Sequence, residues 1–284
     1  MTFPALPRLM LAAALAAVAL PAAAAPADGV SLAPHRAVYD LKLVKSHGSR
    51  GLAAVRGRIL YDFSGNACDG YDLKFRQVSE LDSGEGKTVL SDLNSTTWED
   101  ADAKAFRFSS QNRMNEQTGD VVNGEAERRA KAVAISLTKP KHKALRIPPN
   151  AVFPTEHMRR IIAAARAGTT MLELPVYDGS ETGEKLYNTF TLIGKAVAPG
   201  EKPPADAGAK VPALAKLTRW PVTISYFDQL AESERRKGEQ TPVYVIAFEL
   251  YENGISRKLV LYYPDFTISG EMTSLEMKKE KPCK

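Results

Sequence analysis

The feature that most constrains this chain is the alternation of apolar and polar residues at every second position. In the segment 36–43, for example, Tyr39 and Leu41 alternate with Asp40 and Lys42. A period of two is typical of a β-strand with one buried face and one solvated face. About twelve to fifteen segments carry the pattern. The chain is therefore predicted to be mainly β and to form antiparallel sheet.

Turn signals separate the predicted strands. Asn253-Gly254, which lies between two apolar runs, is the strongest hairpin signal. Asp69-Gly70, Asn123-Gly124 and Asp178-Gly179 are weaker turn markers.

One amphipathic helix, at about 154–167, interrupts the strands. Pro154 is tolerated in its first turn, apolar residues recur at helical spacing from Met158 to Ala165, and Gly168 suits the C-terminal cap. The apolar stripe indicates core packing rather than a ligand-binding face. We expect one curved sheet or partial barrel closed over this helix.

The chain is predicted to form a single large domain over 28–284. Segment 198–213 is rich in Pro, Ala and Gly, which cannot build a strand ladder, so it is interpreted as a flexible insertion. Segment 231–240 is charged and is predicted to be a hairpin tip. Apolar alternation resumes after the insertion, which favours one domain over two.

The N-terminus predicts export. Arg8 supplies one positive charge, 9–20 lack any polar side chain, and Ala22–Ala25 are the small residues that a signal peptidase recognises. An apolar run of about twelve residues is shorter than the ~20 needed to span a bilayer. We predict a cleaved signal peptide over 1–25, cut between 24 and 27, and no transmembrane anchor after cleavage. No cysteine follows the apolar run, which disfavours lipoprotein attachment.

The two cysteines, Cys68 and Cys283, both lie in the mature chain. In an oxidising compartment, two such thiols are most simply interpreted as one disulfide. A redox-active pair is disfavoured because the close C-x-x-C spacing is missing.

The charge of the chain is +5, and removal of Arg8 with the leader leaves +4. The basic residues alternate with acidic ones instead of clustering. Together with export, this disfavours nucleic acid as a partner.

Catalytic motifs are not found in the sequence. The four histidines, His35, His47, His142 and His157, are widely spaced. Glu156 and His157 are helix neighbours that point about 100° apart, so His157 is interpreted as a surface or hydrogen-bonded residue. We therefore expect no catalytic residues, no cofactor and no metal ligands.

Two further sets of side chains leave alternatives open. Carboxylate pairs such as Glu99 with Asp100 and Glu181 with Glu184 are close in sequence, but a glycosidase needs two carboxyls that converge from separate elements. Aromatic residues could line a lipid or glycan groove, although core packing is the simpler interpretation. These are Trp98, Phe106, Phe108, Trp220, Tyr226 and Phe227.

Five stretches then occur in a characteristic order. They are Cys68-Asp69-Gly70-Tyr71; Phe153-Pro154-Thr155-Glu156-His157; Tyr177-Asp178-Gly179-Ser180-Glu181 through Gly183-Glu184-Lys185; Trp220-Pro221-Val222 leading to Ile224-Ser225-Tyr226-Phe227; and Asp265-Phe266-Thr267-Ile268-Ser269-Gly270. Behind a signal peptide, this series resembles the EipB family of periplasmic cell-envelope integrity proteins of alphaproteobacteria. The resemblance covers nearly the whole mature chain, apart from 198–213.

The resemblance implies a β-spiral, which is one long antiparallel sheet coiled around a helix, with an internal disulfide. It implies a non-enzymatic soluble periplasmic protein that maintains envelope integrity by binding an envelope component or a protein partner. One alternative is a carrier that holds a lipid or lipopeptide in the concave sheet. Another is a hydrolase of envelope glycan or peptidoglycan. An open apolar interior would favour the carrier and a polar cleft the hydrolase, whereas a filled core would favour the binding protein without a carried ligand.

Overall fold

The computed structural model describes residues 29–46, 51–84, 86–115, 117–229, 241–280 and 282–283. The predicted signal peptide and the charged segment 231–240 lie outside the described residues. The strands are β1 (His35–Ser46), β2 (Ala54–Asn66), β3 (Gly70–Asp82), β4 (Thr88–Glu99), β5 (Ala105–Met114), β6 (Gln117–Arg129), β7 (Ala132–Lys139), β8 (Lys143–Ile147), β9 (Met171–Val176), β10 (Tyr187–Ile193), β11 (Arg219–Asp228), β12 (Tyr244–Tyr251), β13 (Ser256–Tyr262) and β14 (Phe266–Met277). The helices are α1 (Pro154–Arg166) and α2 (Pro212–Ala215), with a 3₁₀ turn at Ala207–Ala209.

All of these strands form one antiparallel sheet. Its order is β8-β7-β6-β5-β4-β3-β2-β1-β14-β13-β12-β11-β10-β9. The first eight strands extend from β1 in one direction, and the last six return from the far edge to pair β14 with β1. The sheet curls, because Val152, just after β8, forms a parallel bridge with Val176 at the end of β9. The predicted mainly β fold with one curled antiparallel sheet is confirmed.

The period-two pattern assigns the two faces of the sheet. On β1, Ala37 and Tyr39 are buried. Arg36 faces solvent and lies opposite Asp62 on β2, with 2.7 Å between Arg36 Nη2 and Asp62 Oδ2. Such exposed pairs contribute at most about 1 kcal/mol each. The buried face of the sheet therefore supplies most of the stability and specifies the strand register.

Helix α1 lies inside the curl, as the sequence predicts. Pro154 occupies its first turn, and the chain leaves it at Gly168 with φ of +75°. Ile161, Ile162 and Ala165 are buried against the sheet, so the prediction of core packing holds for them, whereas Met158, the first residue of the stripe, lines a cavity. In the described part of the chain, no helix is long and apolar enough to cross a membrane.

The described residues form two clusters of buried side chains in the interior. The first, here called the helix core, joins α1 to strands β1–β3 and β10–β14. Its largest completely buried members are Leu41, Tyr71, Ile161, Ile162, Leu250, Tyr251 and Ile255.

The second cluster, here called the loop core, lies on β5–β7. It is covered by the segment before α1 and by the loop between β9 and β10. Its buried members are Ala103, Phe106, Phe108, Val122, Ala126, Val133, Ile135, Leu137, Ala151, Phe153, Tyr177 and Leu186.

Two turn markers need comment. Asn253-Gly254 connects β12 to β13, as expected, with Gly254 at φ of +88°. Asn123-Gly124 does not form a turn and lies within β6, at a register irregularity against β7. A Cβ atom at Gly124 would lie 2.7 Å from the Phe108 ring. This glycine therefore serves close packing, and the prediction of a turn there is wrong.

Segment 198–213 is not uniformly exposed. Its first residues face solvent, but Gly208 and Ala209 are buried and the 3₁₀ turn packs against β14. Asp206 is also buried and pairs with Arg257 on β13, with 2.5 Å between Asp206 Oδ1 and Arg257 Nη2. The interpretation as a flexible insertion does not hold for 206–209, because small residues allow close contact with the sheet as well as flexibility.

A disulfide joins Cys68, in the turn between β2 and β3, to Cys283 near the C-terminus. The bridge spans 215 positions of sequence. In the chain-entropy model, closing a loop of that length contributes up to roughly 5 kcal/mol to stability.

Candidate functional site

A cavity of about 330 Å³ lies between α1 and the concave face of the sheet. Helix α1 contributes Pro154, Thr155, His157 and Met158 to its wall. The strands contribute mainly aromatic and aliphatic side chains. These are Tyr39, Ile59, Tyr61, Phe63, Leu73, Phe75, Ile224, Tyr226, Ile246, Phe248, Leu259 and Leu261. The helix therefore occupies only part of the concave interior, and the remaining space is apolar.

A buried carboxylate holds the N-terminus of α1 beside this cavity. Phe153, at the N-cap position, supplies no side-chain hydrogen bond. Instead, the backbone N–H groups of Thr155 and Glu156 donate to Glu99 Oε2 and Oε1 at 2.6 and 2.7 Å. Glu99 closes β4, so a distant strand caps the helix. Burial raises the pKa of Glu99 to about 7 despite these two hydrogen bonds.

His157 lies in the cavity wall and is buried, with its Nε2 atom 3.4 Å from Thr189 Oγ1. Burial, with a smaller contribution from the charge of Arg160, lowers the pKa of His157 to about 4. The ring is therefore neutral at pH 7. Of the two predicted alternatives, a hydrogen-bonded rather than a surface position is correct. Glu156 points elsewhere and pairs with Arg128 at 2.7 Å, so the two helix neighbours form no cluster.

His35 is the other histidine of the cavity wall. Its Nδ1 atom lies 2.7 Å from the carbonyl oxygen of Ala33, and burial lowers its pKa. His142 is exposed, and His47 lies outside the described residues.

Asp178 is the carboxylate of the described cavity wall. It follows β9, and its Oδ1 atom accepts a hydrogen bond from the backbone N–H of Ser180 at 2.9 Å. Burial raises the pKa of Asp178, and the nearby charge of Glu181 adds to the effect. In the sequence, Asp178-Gly179 is a turn marker and part of a stretch that carries the family resemblance, but no local pattern shows that the segment faces a cavity.

The other candidates from the sequence lie elsewhere. Glu181 and Glu184 pair with Lys185 and Lys143, each at 2.5 Å. Of the six aromatic candidates, Tyr226 lines the cavity. Phe106 and Phe108 belong to the loop core, Trp220 belongs to the helix core, Trp98 lies under the guanidinium of Arg107, and Phe227 lies beside a shallow surface pocket with Phe190.

Across residues 29–46, 51–84, 86–115, 117–229, 241–280 and 282–283, no group of three or more His, Cys, Asp or Glu side chains could hold a metal ion. The geometry thus presents an apolar cavity with a few neutral polar groups and one carboxylate.

These features define a class of protein in which a single antiparallel sheet curls around a helix and encloses an apolar cavity. The chain belongs to the EipB-like family, whose model matches residues 26–279. It is 36% identical over 255 residues to the cell envelope integrity protein EipB of Brucella abortus (strain 2308), covering 90% of this chain and 88% of that protein.

A solved structure supports the fold. The crystal structure of a β-barrel-like protein with a domain of unknown function, also from Brucella abortus, superposes with a TM-score of 0.80 at 34% identity. The match covers 88% of this chain and 100% of that one. The family resemblance predicted from the sequence is confirmed.

Proposed function

We propose that this protein is an exported, non-catalytic periplasmic protein that supports the integrity of the cell envelope by binding an apolar envelope component in the cavity under α1. The role in the envelope is carried over from the relative named as a cell envelope integrity protein. The observation that supports binding is the cavity itself.

The size and composition of the cavity favour the carrier alternative. Its volume of about 330 Å³ is within the 300–1,000 Å³ typical of small-molecule sites. Aliphatic and aromatic side chains such as Leu73, Phe75 and Leu261 form most of the wall. Burying an apolar chain against them lowers the free energy by about 25 cal/mol for each Å² of apolar surface removed from water. A lipid or lipopeptide acyl chain fits this chemistry.

The same wall is poorly suited to hydrolysis. Glycoside hydrolysis commonly uses two carboxyl groups on opposite sides of the bond, whereas the described cavity wall contributes Asp178 as its carboxylate. His157 has a lowered pKa of about 4, far from the neutral pKa that suits a general base at pH 7. These properties support a binding role rather than a catalytic one.

Ligand binding can be tested with N-phenyl-1-naphthylamine, which fluoresces in apolar surroundings. The double variant Leu73→Trp/Leu261→Trp places two large rings in the cavity, and it should lose at least about tenfold in probe affinity. The matched control Leu90→Trp/Leu192→Trp changes two exposed leucines, 43% and 46% accessible, and should bind like wild type. If the double variant does not fold, Met158→Trp fills the same space from the helix.

The envelope role is tested in cells. A strain that lacks the gene should grow normally in rich medium but become sensitive to detergents and cell-wall antibiotics. Wild-type protein and the exposed-leucine control should restore resistance, and the cavity-filled variant should not. Unchanged sensitivity of the deletion strain would refute the envelope role, whereas full rescue by the filled variant would refute the role of the cavity.

A further inference from the structure

The charges around the cavity are unevenly distributed. None of the described residues that line it is a lysine or an arginine. The two histidines, His35 and His157, both have lowered pKa values because they are buried, so they are neutral at pH 7. Asp178 is therefore the one potential full charge in the described wall, and it is negative.

Asp178 shares the cavity wall with the phenol groups of Tyr39, Tyr61 and Tyr226. Its charge contributes to raising the pKa values of Tyr177, Tyr187, Tyr226 and Tyr244, for which burial is the larger cause. Because their raised pKa values keep these phenols neutral at pH 7, none of them offsets a negative charge on Asp178.

One basic residue close to Asp178 in sequence is already paired. Lys185, the basic residue nearest to Asp178 in sequence, lies 2.5 Å from Glu181 and 3.1 Å from Asp228. The backbone N–H of Ser180 donates to Asp178 Oδ1. Hydrogen bonds from the Ser180 hydroxyl and from the backbone of Asp178 itself also lower the pKa of Asp178, but burial has the larger effect.

We infer that the cavity selects apolar ligands whose polar end is neutral or cationic, such as an alkyl alcohol or an alkyl amine, and that Asp178 determines this selectivity. The selectivity rests on the proposed function, since it concerns the ligand of the same cavity. A carboxylate or phosphate head group inside the cavity would meet a like charge, and the described wall offers it no guanidinium or ammonium partner. An ammonium head group would gain an opposite charge in a site with little water.

Three ligands of equal chain length test this inference. Dodecylamine, dodecanol and dodecanoate are titrated at pH 7, below their micelle concentrations, against the full mature protein with bound N-phenyl-1-naphthylamine. From the displacement of the probe, the affinities of dodecylamine and dodecanol should be at least about tenfold higher than that of dodecanoate. A tenfold ratio corresponds to the same interaction energy as a shift of about one pKa unit.

A single substitution assigns the selectivity to Asp178. Asp178→Asn keeps an oxygen that can accept from Ser180 but removes the charge, so the disadvantage of dodecanoate relative to dodecanol should shrink about tenfold while dodecanol binding stays unchanged. Asp72→Asn, at an exposed position on the solvated face of β3, makes the same change in net charge and should leave all three affinities unchanged.

The outcomes separate the two proposals. If all three ligands bind equally, or if dodecanoate binds most tightly, the selectivity is refuted but the cavity remains a binding site. If neither the probe nor any ligand binds, the proposed function is refuted together with its selectivity. If Asp178→Asn does not fold, the ranking of the three ligands on wild-type protein still decides the inference.

Discussion

The helix core and the loop core fill two parts of the same curled sheet, one with a helix and the other with a loop. In the helix core, α1 lies in the concave face and leaves a cavity of about 330 Å³. In the loop core, the loop between β9 and β10 follows the sheet closely. Gly179 has φ of +67°, and a Cβ atom there would lie 2.5 Å from the Phe108 ring.

The difference follows from the shapes of the two elements. An α-helix with its side chains is a cylinder about 10 Å across and cannot change its outline to match a curved surface. A loop with glycines at positive φ can bring its backbone directly onto an aromatic ring. The loop core can therefore be closely packed, whereas the helix core retains space that a ligand could fill.

The largest expected effect compares the same substitution in both regions. Phe106 is completely buried in the loop core and stacks on Phe153 with 5.2 Å between ring centroids, so Phe106→Ala should cost about 4 kcal/mol of unfolding free energy. Phe248 lines the cavity and has fewer packed neighbours on that side, so Phe248→Ala should cost about 2 kcal/mol. Urea unfolding of both variants measures the difference. Equal costs would show that the two cores are packed alike.

A second comparison concerns glycine in the loop core. Gly179→Ala combines strain at positive φ with overlap on Phe108 and should destabilise the protein by about 3 kcal/mol. Gly200 has a similar φ of +78° but no heavy atom within 4 Å of the position of a Cβ. Gly200→Ala should therefore cost only about 1 kcal/mol, the contribution of strain alone. Thermal unfolding of the pair isolates the packing contribution, and similar melting temperatures would contradict it.

The third prediction concerns the junction of the two cores, where Glu99 caps α1. Burial raises the pKa of Glu99 in the folded state to about 7 from an ordinary value of 4.5. Between pH 4.5 and about pH 7, the folded protein therefore holds a proton on Glu99 that the unfolded protein has lost. This contribution to stability is present at low pH and is lost as the pH rises through about 7.

The stability advantage of wild type over Glu99→Gln should therefore shrink by about 2 kcal/mol between pH 5 and pH 8. Chemical denaturation across this range provides the measurement. Glu80→Gln, at an exposed position on β3, should follow the wild-type pH dependence. A constant difference between wild type and Glu99→Gln would show that Glu99 does not titrate in this interval.

Much of the architecture was predictable because it depends on local patterns. Alternation along β1 to β3 assigns one face of each strand to the interior, and Pro154 and Gly168 lie where the helix begins and ends. The prediction of a turn at Asn123-Gly124 is wrong because the same dipeptide that favours a turn also suits a strand position crowded by Phe108 and Leu137. The identity of the neighbour, rather than the dipeptide, decides between the two.

The candidate site was much less predictable. Tyr226 is among the aromatic candidates, but the sequence marks Asp178 only as part of a turn and of a family stretch, not as a residue of a site. Glu99 was considered only as half of a carboxylate pair with its neighbour Asp100. Its partners are the backbone N–H groups of Thr155 and Glu156, which lie 56 and 57 positions away in sequence. No periodicity or spacing in the sequence indicates a contact between residues so far apart along the chain.

The sequence by itself determined the strands, the single long helix, the turn at Asn253-Gly254 and the two cysteines, since each depends on residues within a few positions or on composition. Only the tertiary structure decided how strongly the sheet curls and which part of its concave face α1 leaves open. It also decided that Asp178 lies in a cavity wall whose described residues include tyrosines but no lysine or arginine. Alternation records which side of a strand is buried, but the curvature and the remaining volume depend on how side chains from distant strands meet.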